Sequence, residues 1–140
     1  MFVKEIMTKK VVTIHEDDSV YTGCLKYQDQ RVGCLLVKDK NDCCVGIVTE
    51  RDFIERTICA KKDPMITKIK EIMSSNLHTI HPLAQYKEAL EIMKEFSLKK
   101  LPVIRDNYLV GIITSTDIAH AHPDLSDEFM KTWVKPRWQD

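Results

Sequence analysis

The strongest periodic pattern in the chain lies between residues 86 and 96. Apolar residues recur there every three or four positions, with charged residues between them, as on a helix with one buried face: Tyr86, Ala89, Leu90, Met93 and Phe96. Two short apolar runs follow, at residues 101–104 and 109–113, separated by the polar residues 105–107. The pattern therefore predicts an amphipathic helix followed by two strands that are joined by a tight turn.

The first half of the chain repeats this order. Residues 3–8 (VKEIMT) recur as residues 69–74 (IKEIMS), which is an offset of 66. One residue is lost in the turn between the two strands, so residues 45–52 align with residues 110–117 at an offset of 65. A duplicated fold tolerates such a change because loops accept insertions that core elements do not. The sequence thus predicts an α/β (α+β) fold built from two copies of one repeat.

Each repeat is predicted to have the element order β-α-β-β-α. A short helical turn that ends near Met7 or Met73 comes before the first strand. The helix of the first copy, residues 20–30, has the weaker pattern because Gly23 lies inside it. The last helix of each copy is expected to open at Asp52 or Asp117.

The end of the last strand carries the most suggestive chemistry in both copies. An apolar run is followed by a threonine and, three residues later, by an aspartate: Thr49 with Asp52, and Thr114 with Asp117. A strand that turns into a helix at this point places a hydroxyl, free backbone N–H groups and a carboxylate side by side. Such a group of atoms suits a polyhydroxylated, phosphorylated small molecule. The alternative is that both aspartates only cap helices, and the repetition of the motif in the same context argues against it.

The repeat defines the domain organisation. We expect a first repeat with its linker at residues 1–66, a second repeat at residues 67–122, and a tail at residues 123–140 that forms a short amphipathic helix. Half of this chain buries too little surface to stand alone, so the two repeats are expected to pack through their sheets with pseudo-two-fold symmetry. Packing of that kind produces two equivalent clefts.

Charge and composition exclude several classes of protein. Lys plus Arg and Asp plus Glu both number 21, and this net charge of zero argues against a general nucleic-acid binder or membrane-surface binder. No apolar run is long enough for a membrane-spanning helix, and the chain does not begin with a signal-peptide pattern, so we expect a cytoplasmic location. The five cysteines form an odd set without Cys-x-x-Cys spacing, which favours free thiols.

The sequence contains no pattern typical of an enzyme. None of the nucleophile, metal or phosphate-loop signatures appears, so we predict no catalytic residues, no metal and no cofactor. His15 and His81 occupy matching repeat positions, which indicates a structural role. His120 and His122 lie near the end of a predicted helix, where a solvated histidine or one that interacts with the helix dipole is expected.

Together these motifs resemble a known family. The Lys-Glu-Ile-Met segment near the start, the Leu-Pro-Val strand at residues 101–103, and the two runs GIVTERD and GIITSTD are similar to a pair of cystathionine-β-synthase (CBS) domains, which form one Bateman module. The resemblance covers residues 1–122. It implies a regulatory module that binds an adenosine ligand such as AMP, ADP, ATP or S-adenosylmethionine. It also implies a homodimer, and the effector protein that responds to the ligand lies outside this chain.

The resemblance also implies ligand-binding residues at matching positions. In the family, the threonine and the aspartate hold phosphate and ribose, and apolar residues hold the adenine. One implied cleft consists of Thr114, Thr116, Asp117, Met7, Lys10, Val12, Val32 and Gly33. The other consists of Thr49, Arg51, Asp52, Met73, Asn76, His78, Leu98 and Lys99. Carboxylates that accept from a ribose diol, and hydroxyls and amides that donate to phosphate, are chemically consistent with that assignment.

The two implied clefts are not equivalent. Gly33 removes bulk from the first, whereas its counterpart Lys99 adds charge to the second, so unequal affinities are expected. Arg51 contacts phosphate in one interpretation and pairs with Glu50 or Asp52 in the other. A second functional hypothesis is a structural or interaction module whose clefts bind nothing and which acts through homodimerisation.

Overall fold

The computed structural model describes residues 1–124 of the chain. The predicted helix in the tail lies outside this part. The elements in chain order are α1 (Val3–Ile6), β1 (Thr13–His15), α2 (Val20–Gln30), β2 (Cys34–Lys38), β3 (Cys44–Thr49), α3 (Glu50–Phe53), a π-helix (Ile54–Ile58), α4 (Ile69–Ile72), α5 (Tyr86–Phe96), β4 (Lys100–Arg105), β5 (Tyr108–Thr114) and α6 (Ser115–Ala121). The fold is a mixed α+β fold, as the sequence predicts.

The chain forms two compact units, and their boundaries differ from those of the sequence repeats. One unit, here called the contiguous unit, consists of residues 11–77. The other, here called the split unit, consists, within the described chain, of residues 1–10 together with residues 78–124. The short helix α1 of the first repeat therefore packs with the elements of the second repeat, and α4 packs with those of the first. Repeat boundaries drawn from the sequence do not reveal this exchange of segments.

The contiguous unit contains a three-stranded sheet in the order β1-β2-β3. Strand β1 runs parallel to β2, which pairs antiparallel with β3. Its core consists of Ile14, Val20, Leu35, Val37, Val48, Phe53, Ile69 and Ile72. Gly23 allows helix α2 to pack closely, because a Cβ at this position would lie 2.8 Å from the Ile69 Cδ1 atom. The residue that weakens the helical pattern thus leaves space for the Ile69 side chain.

The split unit repeats this arrangement with one strand fewer. Strands β4 and β5 form an antiparallel pair, and Ile80 makes only a single parallel bridge to Val103 instead of a full strand. The register shifts between Val103 and Ile104, at the position where the other unit shifts between Val37 and Lys38. This shared irregularity supports the duplication. The core consists of Val3, Ile80, Ala89, Met93, Leu101, Val103, Ile113 and Ile118.

Candidate functional site

Each unit places its Thr-x-x-Asp motif at the junction between its last strand and the helix that follows. The helices begin at Glu50 and Ser115, two residues before the aspartates at which they were predicted to open. Threonine is the N-cap residue in both cases, and the aspartate is the third residue of the helix. The prediction that the helices open at Asp52 and Asp117 is therefore wrong. The reason is that each aspartate reaches back to the start of the helix in a capping box.

The capping boxes fix the carboxylate positions. Thr114 N–H donates to Asp117 Oδ2 at 3.0 Å, and Asp117 N–H donates to Thr114 Oγ1 at 3.1 Å. In the contiguous unit, Thr49 N–H donates to Asp52 Oδ2 at 2.9 Å. Both aspartates therefore cap helices, as the alternative interpretation holds. One oxygen of each carboxylate serves this purpose, so capping does not by itself use the other oxygen.

The second oxygen of Asp117 has a neighbour from the first ten residues. The Thr8 hydroxyl donates to Asp117 Oδ1 at 3.1 Å and lies 3.3 Å from Oδ2. The Thr8 backbone is fixed by two hydrogen bonds with Ile112, of 2.8 and 2.9 Å. These bonds hold Thr8 beside strand β5, and its hydroxyl is thereby directed at the carboxylate.

Asp52 has a different neighbour. Its side chain is largely buried, and the Arg56 Nε atom lies 3.6 Å from Oδ1. The Arg56 Nη1 atom donates to the carbonyl oxygens of Ile72 and Met73, at 3.1 and 3.2 Å. Arg56 therefore joins the capping carboxylate to the end of helix α4. Because a burial of this degree disfavours an unpaired carboxylate, the guanidinium compensates for part of the lost solvation.

Two glycines permit close approach of the segments that carry these neighbours. A Cβ at Gly111 would lie 2.7 Å from the Met7 sulfur and 2.8 Å from the Thr8 carbonyl oxygen. A Cβ at Gly46 would lie 2.4 Å from the Met73 sulfur. Neither glycine has a positive φ, so its role here is to leave space for the neighbouring segment and not to adopt an unusual backbone conformation.

The predicted site residues are divided between the two units. The contiguous unit contains Val12, Val32, Gly33, Thr49, Arg51, Asp52, Met73 and Asn76, and the split unit contains Met7, Lys10, His78, Leu98, Lys99, Thr114, Thr116 and Asp117. Within a unit, the structure brings Met7 close to Gly111 of strand β5 and Met73 close to Gly46 of strand β3. The grouping of residues from different units into one cleft stays a prediction.

Several of these side chains already have partners. Arg51 pairs with Glu55, with 2.9 Å between Nε and Oε2, and not with Glu50 or Asp52 as the second interpretation expected. The His78 ring stacks on Phe96 with the ring centroids 3.7 Å apart. The Lys99 carbonyl oxygen accepts a 2.8 Å hydrogen bond from Ser115 N–H, which holds Lys99 beside the capping box while its side chain is exposed.

Sequence reasoning missed Thr8 and Arg56. Thr8 aligns with Ser74, so the hydroxyl present at this position in both repeats could have identified it from the sequence. Arg56 follows Asp52 by four residues, which places both on one helical face, but its repeat partner is Ala121. No repetition therefore pointed to it.

Tyr27 contacts Gly33, one of the predicted site residues. Burial raises the pKa of Tyr27, and the nearby Glu50 carboxylate raises it further, while the Tyr27 hydroxyl donates to the Gly33 carbonyl oxygen at 3.0 Å.

Among residues 1–124, no group of three or more His, Cys, Asp or Glu side chains is arranged to hold a metal ion. Over the same residues, no helix has the length and apolar character needed to span a membrane.

Comparison with known proteins identifies the family. The CBS-domain family model matches residues 3–58 and 69–124, which together make up most of the chain. The chain belongs to the CBS-domain family. The two matches form a tandem CBS pair, in agreement with the resemblance seen in the sequence.

The relatives of this CBS pair include whole proteins of similar size and parts of longer ones. YlbB of Bacillus subtilis is 33% identical over 118 residues, which are 84% of this chain and 79% of that protein. The uncharacterized protein MJ0450 of Methanocaldococcus jannaschii is 31% identical over 122 residues, 86% of this chain. This chain spans 66% of the length of MJ0450.

One similar structure contains adenosine ligands. The CBS domain pair of protein MJ0100 was crystallised in complex with 5′-methylthioadenosine and S-adenosyl-L-methionine. It has a TM-score of 0.77 and 27% identity with this chain, and the match covers 89% of this chain and 97% of that one. The shared fold therefore includes a protein that binds adenosine compounds.

Proposed function

We propose that this CBS pair is a regulatory module that binds an adenosine-containing ligand such as AMP, ADP, ATP or S-adenosylmethionine. The observation that carries the proposal is the duplicated capping box, which holds the Asp52 and Asp117 carboxylates at the ends of strands β3 and β5. A fixed carboxylate accepts hydrogen bonds from a ribose diol without reordering, which lowers the entropic cost of binding. The adenosine ligands bound by the MJ0100 pair support the same class of ligand.

The module acts by binding and not by catalysis in this proposal. A ligand shifts a protein between two arrangements only through different affinities for them, so the output depends on an effector that distinguishes the arrangements. Neither capping carboxylate has a histidine or cysteine hydrogen-bonded to it among residues 1–124. The chemistry around the two carboxylates thus suits ligand recognition.

The direct test is a thermal-unfolding panel on nucleotide-stripped protein with AMP, ADP, ATP, S-adenosylmethionine, NAD and GTP. A ligand at 100 times its dissociation constant adds about 2.7 kcal/mol to the free energy of unfolding, which raises the midpoint by roughly 5–10 °C for a chain of this size. We expect an adenosine compound to give such a shift and Asp52→Ala or Asp117→Ala to reduce it. Asp29→Ala is the matched control, because Asp29 is an exposed aspartate on helix α2.

A second candidate function is an interaction module that acts through homodimerisation. The observation in its favour is an exposed set of large apolar side chains in the contiguous unit, which includes Ile58 at 71% and Ile66 at 77% exposure. If no nucleotide changes the unfolding midpoint by a degree or two, this candidate replaces the first. Sedimentation of the Ile58→Lys variant then tests it, because a dimer that buries Ile58 should dissociate.

A further inference from the structure

The two capping carboxylates have neighbours of different chemistry, and only Asp117 accepts a hydrogen bond from an exchanged segment. In the split unit, residues 1–10 supply a neutral hydroxyl, because Thr8 donates to Asp117. In the contiguous unit, the corresponding Ser74 makes no such hydrogen bond to Asp52 within the described chain, although its backbone pairs with Ile47 just as Thr8 pairs with Ile112. The two motifs have the same sequence pattern, but their carboxylates do not accept the same hydrogen bonds.

The Thr8 hydroxyl uses the part of Asp117 that a ligand would need. Thr114 N–H already donates to Oδ2, and Thr8 donates to Oδ1, so both carboxylate oxygens accept hydrogen bonds from the protein. A ribose hydroxyl is chemically the same donor as the threonine hydroxyl. A ligand diol at Asp117 therefore competes with Thr8 for the lone pairs of Oδ1.

The second oxygen of Asp52 accepts no hydrogen bond within the described chain. Its Oδ1 atom faces Arg56 Nε at 3.6 Å, an ion-pair distance that is longer than a hydrogen bond. The Arg56 Nη1 atom is directed to the carbonyl oxygens of Ile72 and Met73 instead. The lone pairs of Oδ1 are therefore less occupied than those of Asp117, and the guanidinium lies beside this oxygen.

We infer that Thr8 is a specificity-determining residue. Its hydroxyl competes with a ligand hydroxyl for Asp117, so the Asp52 carboxylate binds a ribose diol in preference to Asp117. This inference rests on the proposed function and assigns an order to the two carboxylates. In the contiguous unit, Arg56 positions the Asp52 carboxylate. The residue at the same repeat position in the split unit is Ala121.

The test isolates Asp117 by using the Asp52→Ala protein as the parent. Isothermal titration with adenosine compares this parent with a version that also carries Thr8→Val, which keeps the shape of the side chain and removes the hydroxyl. We expect the added change to tighten adenosine binding by about 3- to 10-fold, because one competing hydrogen bond to a charged group is removed. Thr8→Ser, which restores a hydroxyl, should return the affinity to that of the parent.

Two controls separate competition from a structural effect. Ser74→Ala in the Asp117→Ala parent should leave adenosine affinity within about twofold, because Ser74 makes no hydrogen bond to Asp52. Titration with 2′,3′-dideoxyadenosine, which lacks the diol, should give the same affinity with and without Thr8→Val. An effect of Thr8→Val on both nucleosides would mean a change in folding and would overturn the inference.

The remaining outcomes are also decisive. Binding that depends on Asp117 but is unchanged or weakened by Thr8→Val would overturn the inference and leave the proposed function in place. A failure of the otherwise unaltered protein, and of the protein carrying Thr8→Val alone, to bind adenosine, AMP, ATP or S-adenosylmethionine at millimolar concentration would refute both.

Discussion

Replacing Gly111 with alanine tests how closely the first ten residues pack on strand β5. The new methyl group would lie 2.7 Å from the Met7 sulfur and 2.8 Å from the Thr8 carbonyl oxygen. Both distances are too short for real contacts, and the second involves backbone that cannot rotate away. Residues 7 and 8 must therefore move away from the strand.

The expected loss of stability follows from the contacts at this position. The two hydrogen bonds between Thr8 and Ile112 contribute about 1 kcal/mol each, and overpacking in a dense region costs about 1–3 kcal/mol. Partial relaxation and the lower entropy of the unfolded alanine chain offset some of this loss. We expect a decrease of about 2–4 kcal/mol in the free energy of unfolding, or about 6–12 °C in the midpoint.

Gly46→Ala is the matched control, because Gly46 is the repeat partner of Gly111. Its methyl group would meet mainly the flexible Met73 side chain, and the nearest backbone atom, the Ser74 carbonyl oxygen, lies 3.2 Å away. The expected loss is about 1 kcal/mol. Thermal unfolding followed by circular dichroism compares both variants with the unaltered protein. A midpoint for Gly111→Ala within about 2 °C of the unaltered protein, or above that of Gly46→Ala, would refute the reasoning.

Three further predictions follow from other contacts. Thr57→Val should raise the unfolding midpoint by about 4 °C, because the Thr57 hydroxyl is buried and has no hydrogen-bond partner among residues 1–124. Lys70 holds the pKa of Asp17 below 3.8, the usual value for an aspartate. Lys70→Ala should therefore lower the unfolding midpoint most above pH 3.8, where Asp17 is charged in both the folded and the unfolded chain. Iodoacetamide should alkylate the exposed Cys59 before Cys44, since burial raises the pKa of Cys44, and peptide mass spectrometry measures both rates.

Each of these predictions has a contradicting result. A lower midpoint for Thr57→Val would mean that the hydroxyl is bonded in solution. For Lys70, the difference from the unaltered protein should shrink as the pH falls below 3.8 and Asp17 takes up a proton, and a constant difference would exclude a role for this ion pair. Lys4→Ala, at the repeat partner of Lys70, should show no such pH dependence. Faster labelling of Cys44 than of Cys59 would mean that strand β3 opens readily.

The elements of the fold were largely predictable because the same sequence pattern occurs in both repeats. Helix α2 spans Val20–Gln30, the range expected from its alignment with the clearer helix α5, despite the glycine within it. The four central strands also lie where the apolar runs place them. Local periodicity, reinforced by repetition, was sufficient for these elements.

The exchanged segments and the helix starts were not predictable in this way. Nothing local in residues 3–8 indicates that they pair with strand β5, about a hundred residues later in the chain. The capping geometry of Asp52 and Asp117 depends on a side chain that reaches backward by three residues, so composition alone placed the helix start too late. Arg56 was missed because its role requires the position of Met73, which only the folded chain provides.

The exchange of segments has a consequence for the order in which the chain is synthesised. The contiguous unit becomes complete once residues 11–77 have left the ribosome, whereas residues 1–10 must wait for strand β5. Before residues 69–74 emerge, strand β3 lacks its partner in the folded chain, and residues 3–8 have nearly the same sequence as that partner. We expect nascent α1 to occupy that place temporarily. Efficient folding during synthesis then requires residues 69–74 to displace residues 3–8 from strand β3.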